Sequence, residues 1–165
     1  MKWLLIVTSV LVAVALLIAV TGWMLPVAHV ATRERSFAAS PDAVWKTITD
    51  VDAFPTWRSD VKSVERVPGT GKLTWIERGG SGTLTFTVDV NDAPHRLVTR
   101  IADPKLPFGG SWTYELSSSA AGGTMLRITE HGEIYNPIFR ALARFVFGYE
   151  STMITYLDAL KKRVG

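Results

Sequence analysis

The N-terminal part of the chain is an apolar run that is long enough to cross a lipid bilayer. No Asp, Glu, Lys, Arg or His occurs between Trp3 and Ala28. A hydrocarbon core of about 30 Å requires about 20 apolar residues in a helix that rises about 1.5 Å per residue. The run from Leu4 to Leu25 meets that length, and Pro26 ends the helix because proline lacks an amide hydrogen and clashes with the preceding turn. Residues 3–25 are therefore predicted to contact the bilayer as a single-pass membrane anchor.

A cleaved signal peptide is the competing interpretation of this run. Signal peptides have an apolar region of about 7–15 residues followed by an Ala-x-Ala-like cleavage site. The run is longer than that, and Ala19 and Thr21 supply only a weak site, so a retained anchor is favoured. The side of the membrane on which the rest of the chain lies stays open, because Lys2 on one flank and Arg33 and Arg35 on the other give no clear positive-inside bias.

The chain is therefore predicted to consist of an anchor with a short linker over residues 1–30 and one domain of ordinary size over residues 31–165. The formal net charge of the whole chain is +3 and the charges are scattered, so a nucleic-acid partner is not predicted. The chain has no cysteine and three histidines. Disulfides and a zinc cluster are therefore not expected, and neither a metal nor a cofactor is predicted.

The hydrophobic pattern after the anchor predicts an α+β domain. Residues 32–39 form a first strand, and Ser40 caps a helix that ends near Asp50. Between Val61 and Glu133, apolar and polar residues largely alternate, which indicates a run of antiparallel strands. From Pro137 to Lys162 apolar residues recur every three or four positions, which predicts one long helix whose apolar stripe covers a face of the sheet.

Three local motifs carry a family resemblance: a helix begun by Pro41 and carrying Trp45, the segment Asp52–Trp57 (Asp-Ala-Phe-Pro-Thr-Trp), and the dipeptide Asn136–Pro137 before the last helix. With the order of elements, they resemble the START-like polyketide cyclase/dehydrase superfamily, also labelled SRPBCC, over nearly all of residues 32–163. The resemblance implies a helix-grip domain after the transmembrane helix. In that fold an antiparallel sheet of about six or seven strands wraps around a long C-terminal helix.

The resemblance also implies a cavity between the sheet and the C-terminal helix that holds a small hydrophobic ligand such as a lipid, a quinone or a polyketide-like compound. Because the fold hosts carriers, regulators and enzymes alike, catalysis is left open. The first hypothesis is a membrane-tethered binding protein, and the alternative is an enzyme of the cyclase or dehydratase type. Aromatic residues are more often simply core, but some are expected in the cavity wall. The residues predicted to bind the ligand are Trp57, Trp75, Phe86, Trp112, Tyr114, Glu130, Phe139 and Arg140.

Glu130 is the candidate proton-transfer group of the enzyme hypothesis. If Leu126 and Ile128 face the interior, the period of two turns Glu130 inward as well. Arg140, one turn into the last helix, is expected within reach of it. The pair has two interpretations: a general acid or base at the pocket mouth, or a structural ion pair that ties the last strand to the helix. His131 is expected to point to solvent.

Overall fold

The computed structural model describes residues 1–119 and 122–165, which form five α-helices and one seven-stranded sheet. The turn predicted for residues 117–123 includes Ala120 and Ala121, which lie outside the described residues. The helices are α1 Lys2–Met24, α2 Pro41–Thr49, α3 Phe54–Trp57, α4 Pro137–Leu142 and α5 Ser151–Val164. The strands are β1 Ala28–Phe37, β2 Val61–Arg66, β3 Thr74–Gly79, β4 Gly82–Asp92, β5 Arg96–Ile101, β6 Phe108–Ser118 and β7 Thr124–Ile134.

The sheet has the strand order β1-β7-β6-β5-β4-β3-β2, and every neighbouring pair is antiparallel. Helix α5 packs on one face of the sheet and buries Met153, Tyr156, Leu157 and Leu160, which lie on one side of the helix at spacings of three and four residues. A sheet wrapped on its last helix is the predicted helix-grip architecture. The α+β fold class is therefore confirmed.

Helix α2 closes the end of the sheet where α5 finishes. Ser40 is its N-cap, and the Ser40 hydroxyl accepts a hydrogen bond from the Ala43 amide at 3.3 Å. The helix buries Val44 and Ile48, which lie four residues apart on one face. This end of the domain is filled by side chains, which leaves the opposite end free to form a cavity.

The C-terminal apolar stripe forms two helices rather than the single helix predicted from residue 137 to 162. Helix α4 ends at Leu142, a π-helical turn covers Ala143–Phe147, and α5 begins only at Ser151. Gly148 separates them with a φ of 74°. Glycine adopts this left-handed conformation without the steric cost that a Cβ adds, so the chain changes direction here.

Helix α1 is in direct contact with the folded domain. By length and composition it is able to cross a membrane. Strand β1 begins at Ala28, earlier than the predicted Thr32, so only residues 25–27 separate helix and sheet. The backbone of α4 lies so close to Gly22 that a Cβ there would sit 1.8 Å from the Pro137 carbonyl oxygen. The domain is thus packed on the last turns of α1 rather than joined to it by a free linker.

Candidate ligand-binding cavity

A cavity of about 660 Å³ lies between the sheet and helix α5. Pockets that bind small molecules usually have volumes of about 300–1,000 Å³ and mostly apolar walls. Much of the wall comes from alternate residues of β3, β4 and β6, which the pleat turns to one face. The cavity opens at the end of the sheet where the β3–β4 hairpin, the start of β6 and the break between α4 and α5 meet. Apolar side chains of this wall include Trp75, Leu84, Phe86, Ile101, Phe108, Trp112, Phe139 and Leu142.

Most of the residues predicted to bind the ligand lie in this wall. Trp57 and Arg140 lie outside the cavity wall. Trp57 packs edge-on against Tyr156, with ring centroids 5.5 Å apart, and Arg140 contacts the C-terminal end of helix α1. That the others bind a ligand stays a prediction. The predicted residues that line the cavity are Trp75, Phe86, Trp112, Tyr114, Glu130 and Phe139.

A buried ion pair between Arg58 and Glu77 forms the first polar group in the cavity wall. The Arg58 Nη1 atom donates to Glu77 Oε1 at 3.1 Å, and Nη2 donates to Asp60 Oδ2 at 2.7 Å. The indole N–H of Trp75 donates to the same Glu77 oxygen at 2.9 Å. Glu77 is 6% exposed. A carboxylate at this depth needs a cation and hydrogen-bond donors, and this arrangement supplies both.

The environment of Arg58 keeps its guanidinium charged. Burial opposes the charge, but the hydrogen bond with Asp60 and the negative charge of Glu77 outweigh that effect, so the pKa of Arg58 is raised above its ordinary value. The guanidinium also lies over the rings of Phe54 and Tyr156, at 5.1 and 5.4 Å from the centroids. Aromatic faces attract cations, so the rings help to fix Arg58 in the wall.

Two buried tyrosines lie next to this ion pair. The rings of Tyr114 and Tyr156 have centroids 5.8 Å apart, and both residues are less than a tenth exposed. Burial raises the pKa of each hydroxyl well above its ordinary value of about 10, and for Tyr114 the nearby positive charge of Arg58 offsets this only in part. Both phenols therefore remain neutral, and their hydroxyls hydrogen-bond to each other beside the cavity.

The raised pKa values predict a loss of stability at alkaline pH. An unfolded tyrosine ionises near pH 10, whereas Tyr114 and Tyr156 keep their protons in the folded state, so stability is complete below pH 10 and falls above it by up to about 1.4 kcal/mol per pH unit for each tyrosine. Chemical unfolding at a series of pH values measures this slope. The double variant Tyr114→Phe, Tyr156→Phe should show a shallower fall above pH 10. An unchanged slope in that variant would contradict the prediction.

Glu130 is the centre of the second polar group in the wall. One carboxylate oxygen lies 3.3 Å from His29 Nε2, and the other accepts a hydrogen bond from the Trp112 indole at 3.0 Å. The His29 ring stacks on Tyr149, with centroids 4.0 Å apart and planes inclined by 16°. A carboxylate and an imidazole in contact beside a cavity are able to exchange a proton.

The predicted contact between Glu130 and Arg140 is wrong. The Nη1 atom of Arg140 instead donates to the carbonyl oxygen of Leu25 at 3.0 Å, at the C-terminal end of helix α1. Carbonyl groups at a helix C-terminus carry a partial negative charge that attracts a cation. Glu130 does face inward as predicted, and His131 is exposed as expected.

The polar residues of the wall that were not predicted from the sequence include Arg58, Glu77 and His29. Glu77 follows Trp75 by two residues on the same strand, so the period of two already places a carboxylate beside an inward tryptophan. An inward carboxylate in turn requires a cation nearby. His29 was missed because the first strand was predicted to begin three residues after it.

Comparison with known proteins agrees with this geometry. The sequence model of a family described as polyketide cyclase / dehydrase and lipid transport matches residues 28–165. The chain belongs to this family. Its match begins where β1 begins and leaves helix α1 outside. No curated protein matches the chain significantly in sequence.

Solved structures similar to this family member share its fold at low sequence identity. A START superfamily protein from Mycobacterium smegmatis has 17% identity and a TM-score of 0.64, covering 82% of this chain and 97% of its own. The Zhui aromatase/cyclase from Streptomyces sp. R1128 has 17% identity and a TM-score of 0.68, with 83% and 93% covered. The di-domain ARO/CYC BexL from the BE-7585A biosynthetic pathway has 15% identity and a TM-score of 0.67, with 87% and 52% covered.

Within residues 1–119 and 122–165 of this family member, no group of three or more His, Asp and Glu side chains is placed to hold a metal ion. The described wall offers aromatic surfaces, hydroxyl groups and the two polar groups at Arg58 and Glu130.

Proposed function

We propose that the protein is a membrane-tethered binding protein that holds a small hydrophobic ligand (a lipid, a quinone or a polyketide-like compound) between its sheet and helix α5. The observation that carries the proposal is the cavity of about 660 Å³, whose wall is mainly aromatic and aliphatic. A few fixed polar groups in an apolar wall orient a ligand that has one polar end. Arg58 and the phenols of Tyr114 and Tyr156 are candidates for that contact.

The contacts of helix α1 support a retained membrane tether rather than a cleaved signal peptide. Arg140 is 7% exposed, and the carbonyl oxygen of Leu25 is its hydrogen-bond acceptor. Cleavage near Ala19 or Thr21 would remove most of the helix on which α4 packs. A tether raises the effective concentration of the domain at the membrane, which is where a hydrophobic ligand dissolves.

Ligand capture is tested by mass spectrometry on the full chain. The protein is extracted from its native membrane and purified, and co-purifying small molecules are compared with those of a variant with a narrowed cavity. Leu84 lines the cavity, whereas Thr83 precedes it on β4 and faces away, so Leu84→Trp and Thr83→Trp form a matched pair. We expect one class of hydrophobic molecule with the wild type and Thr83→Trp, and at least about a tenfold loss with Leu84→Trp. Equal recovery from all three proteins would contradict the proposal.

The second candidate function is an enzyme of the cyclase or dehydratase type, in which Glu130 moves a proton. The contact between His29 and Glu130 beside the cavity favours it, because the imidazole is a partner able to accept or return the proton. In a dehydration the carboxylate would take a proton from the carbon next to the one that bears a hydroxyl and would return it to that hydroxyl, so that a C=C bond forms, the C–O bond breaks and water leaves.

Glu130→Gln separates the two functions, since it keeps the shape of the side chain and removes its basicity. If the protein is an enzyme, turnover of the recovered ligand should fall by about 100-fold or more while the amount bound stays the same. If the protein only binds, the wild type converts nothing and the variant recovers as much ligand as the wild type. Asp52→Asn, at an exposed carboxylate paired with Arg66, is the matched control and should change neither quantity.

A further inference from the structure

An exposed apolar segment lies at the mouth of the cavity. It comprises helix α4, the π-helical turn and Gly148, and we name residues 137–148 the rim segment. Its outward side chains are large and apolar: Phe145, Val146 and Phe147 are 66%, 65% and 65% exposed. Ile138 and Phe139 are about half exposed. Soluble surfaces rarely present so many large apolar side chains together, and such patches mark contacts with proteins or membranes.

The rim segment packs against α1, the helix that contacts the bilayer under the proposed function. The residues of α1 with reduced exposure are Ile18, Ala19, Thr21 and Gly22, near its C-terminal end, and the Pro137 carbonyl packs on Gly22. At 1.5 Å per residue, Ile18 lies about 10 Å along the helix axis from Leu25. If α1 spans the bilayer, a segment packed on these residues lies at a depth that matches the 5–10 Å typical of interfacial helices.

The charges of the rim segment favour a lipid surface over a protein partner. Residues 137–148 contain two arginines and no carboxylate. Arg140 is buried, and its guanidinium donates to the carbonyl oxygen of Leu25 at the end of α1, so its charge does not lie on the exposed face of the segment. Arg144 is exposed, and a long arginine side chain can extend to the phosphate groups while its stem stays among the acyl chains. Anionic headgroups are the chemistry that such a surface fits.

The same segment forms part of the cavity wall. Phe139, Leu142, Ala143 and Phe147 line the cavity, and the start of β6 lies across the mouth from them. We propose that the rim segment inserts into the outer part of one leaflet of an anionic bilayer, so that the cavity opens into lipid rather than into water. A hydrophobic ligand then moves between membrane and cavity without crossing the aqueous phase. This inference rests on the tether in the proposed function.

Site-specific fluorescence tests the insertion directly, because the chain has no cysteine and a single one is introduced without background. The full chain is reconstituted in vesicles of equal parts phosphatidylcholine and phosphatidylglycerol, and an environment-sensitive dye is attached to Val146→Cys or Phe145→Cys. Val10→Cys in α1 reports the tether. Thr70→Cys, in the exposed loop between β2 and β3, is the aqueous reference. Lipids that carry a nitroxide near the headgroup quench any dye at that depth.

We expect the dye at positions 145 and 146 to be quenched at least about twofold more strongly than the dye at position 70, and to lose much of that quenching in vesicles without phosphatidylglycerol. Lipid-like emission of the dye at position 10 together with water-like emission at both rim positions would overturn the inference and leave the tether intact. Water-like emission at position 10 as well would overturn both. Rim quenching that is equal with and without the anionic lipid would overturn the choice of an anionic surface.

Discussion

Arg58→Met should lower the free energy of unfolding of the domain by about 3–5 kcal/mol, because it leaves the Glu77 carboxylate buried without its cation. The two side chains are 14% and 7% exposed, so water from the cavity compensates for the lost partner only in part. Methionine keeps an unbranched apolar stem, which limits the contribution of lost packing. Chemical unfolding followed by circular dichroism measures the change in the full chain.

The control for this prediction is Arg66→Met. Arg66 pairs with Asp52 across an exposed surface, with side chains 53% and 58% exposed, and such pairs contribute about 0–1 kcal/mol. The double variant Arg58→Met, Glu77→Met removes both buried charges and should recover much of the stability. If Arg58→Met lowers the free energy of unfolding no more than Arg66→Met does, the buried ion pair does not stabilise this part of the cavity wall.

Gly22→Ala should separate helix α4 from helix α1. The added Cβ would lie 1.8 Å from the Pro137 carbonyl oxygen, and backbone cannot move aside as a flexible side chain can. Alanine is the better helix former by about 1 kcal/mol, so its intrinsic effect on α1 is stabilising and any loss of packing comes from the collision. Overpacking of this kind costs about 1–3 kcal/mol, which lowers the equilibrium constant for packing of α4 on α1 by about 5- to 150-fold.

Hydrogen exchange of the full chain in lipid nanodiscs measures this separation. Amide protection in residues 137–147 should fall by about fivefold or more in Gly22→Ala, while protection in α5 changes little. Val20→Ala, at an exposed position of the same helix, should leave both regions as in the wild type. Equal protection of α4 in Gly22→Ala and wild type would show that the two helices do not pack on each other in lipid.

The two variants probe different parts of one arrangement. Arg58 belongs to the interior of the cavity, whereas Gly22 sets the position of the segment at its mouth. A loss of bound ligand in Arg58→Met indicates that the polar group in the wall orients the ligand. A loss of ligand only from the membrane-bound form of Gly22→Ala would indicate that the mouth must face the bilayer.

Much of the fold follows from local patterns in the sequence. The Ser40 cap and the proline after it start helix α2 where predicted. The alternation of Leu84, Phe86 and Val88 predicts a strand with one inward face, and all three side chains are partly or fully buried. Such patterns need only neighbouring residues, because the pleat and the helical turn repeat at fixed periods.

A cavity residue could be predicted where the alternation along its strand already turns its side chain inward. Trp112 and Tyr114 were placed on one face of β6, and Glu130 followed Leu126 and Ile128 inward on β7. Glu77 was available by the same argument from Trp75. The division of the last helix was less accessible, because the apolar stripe continues through the break and Gly148 is the sole local signal of it.

The sequence alone predicts a helix of membrane-spanning length over Leu4–Leu25, since the length and the apolar composition of the run are local properties. The tertiary structure decided what this helix contacts. Arg140 binds the Leu25 carbonyl, 115 residues away along the chain, and His29 meets Glu130 across 101 residues. Pairings over such distances depend on sheet register and helix packing, which no periodic pattern encodes. For that reason the sequence predicted an inward carboxylate, whereas the structure determined its partner and placed the mouth of the cavity beside helix α1.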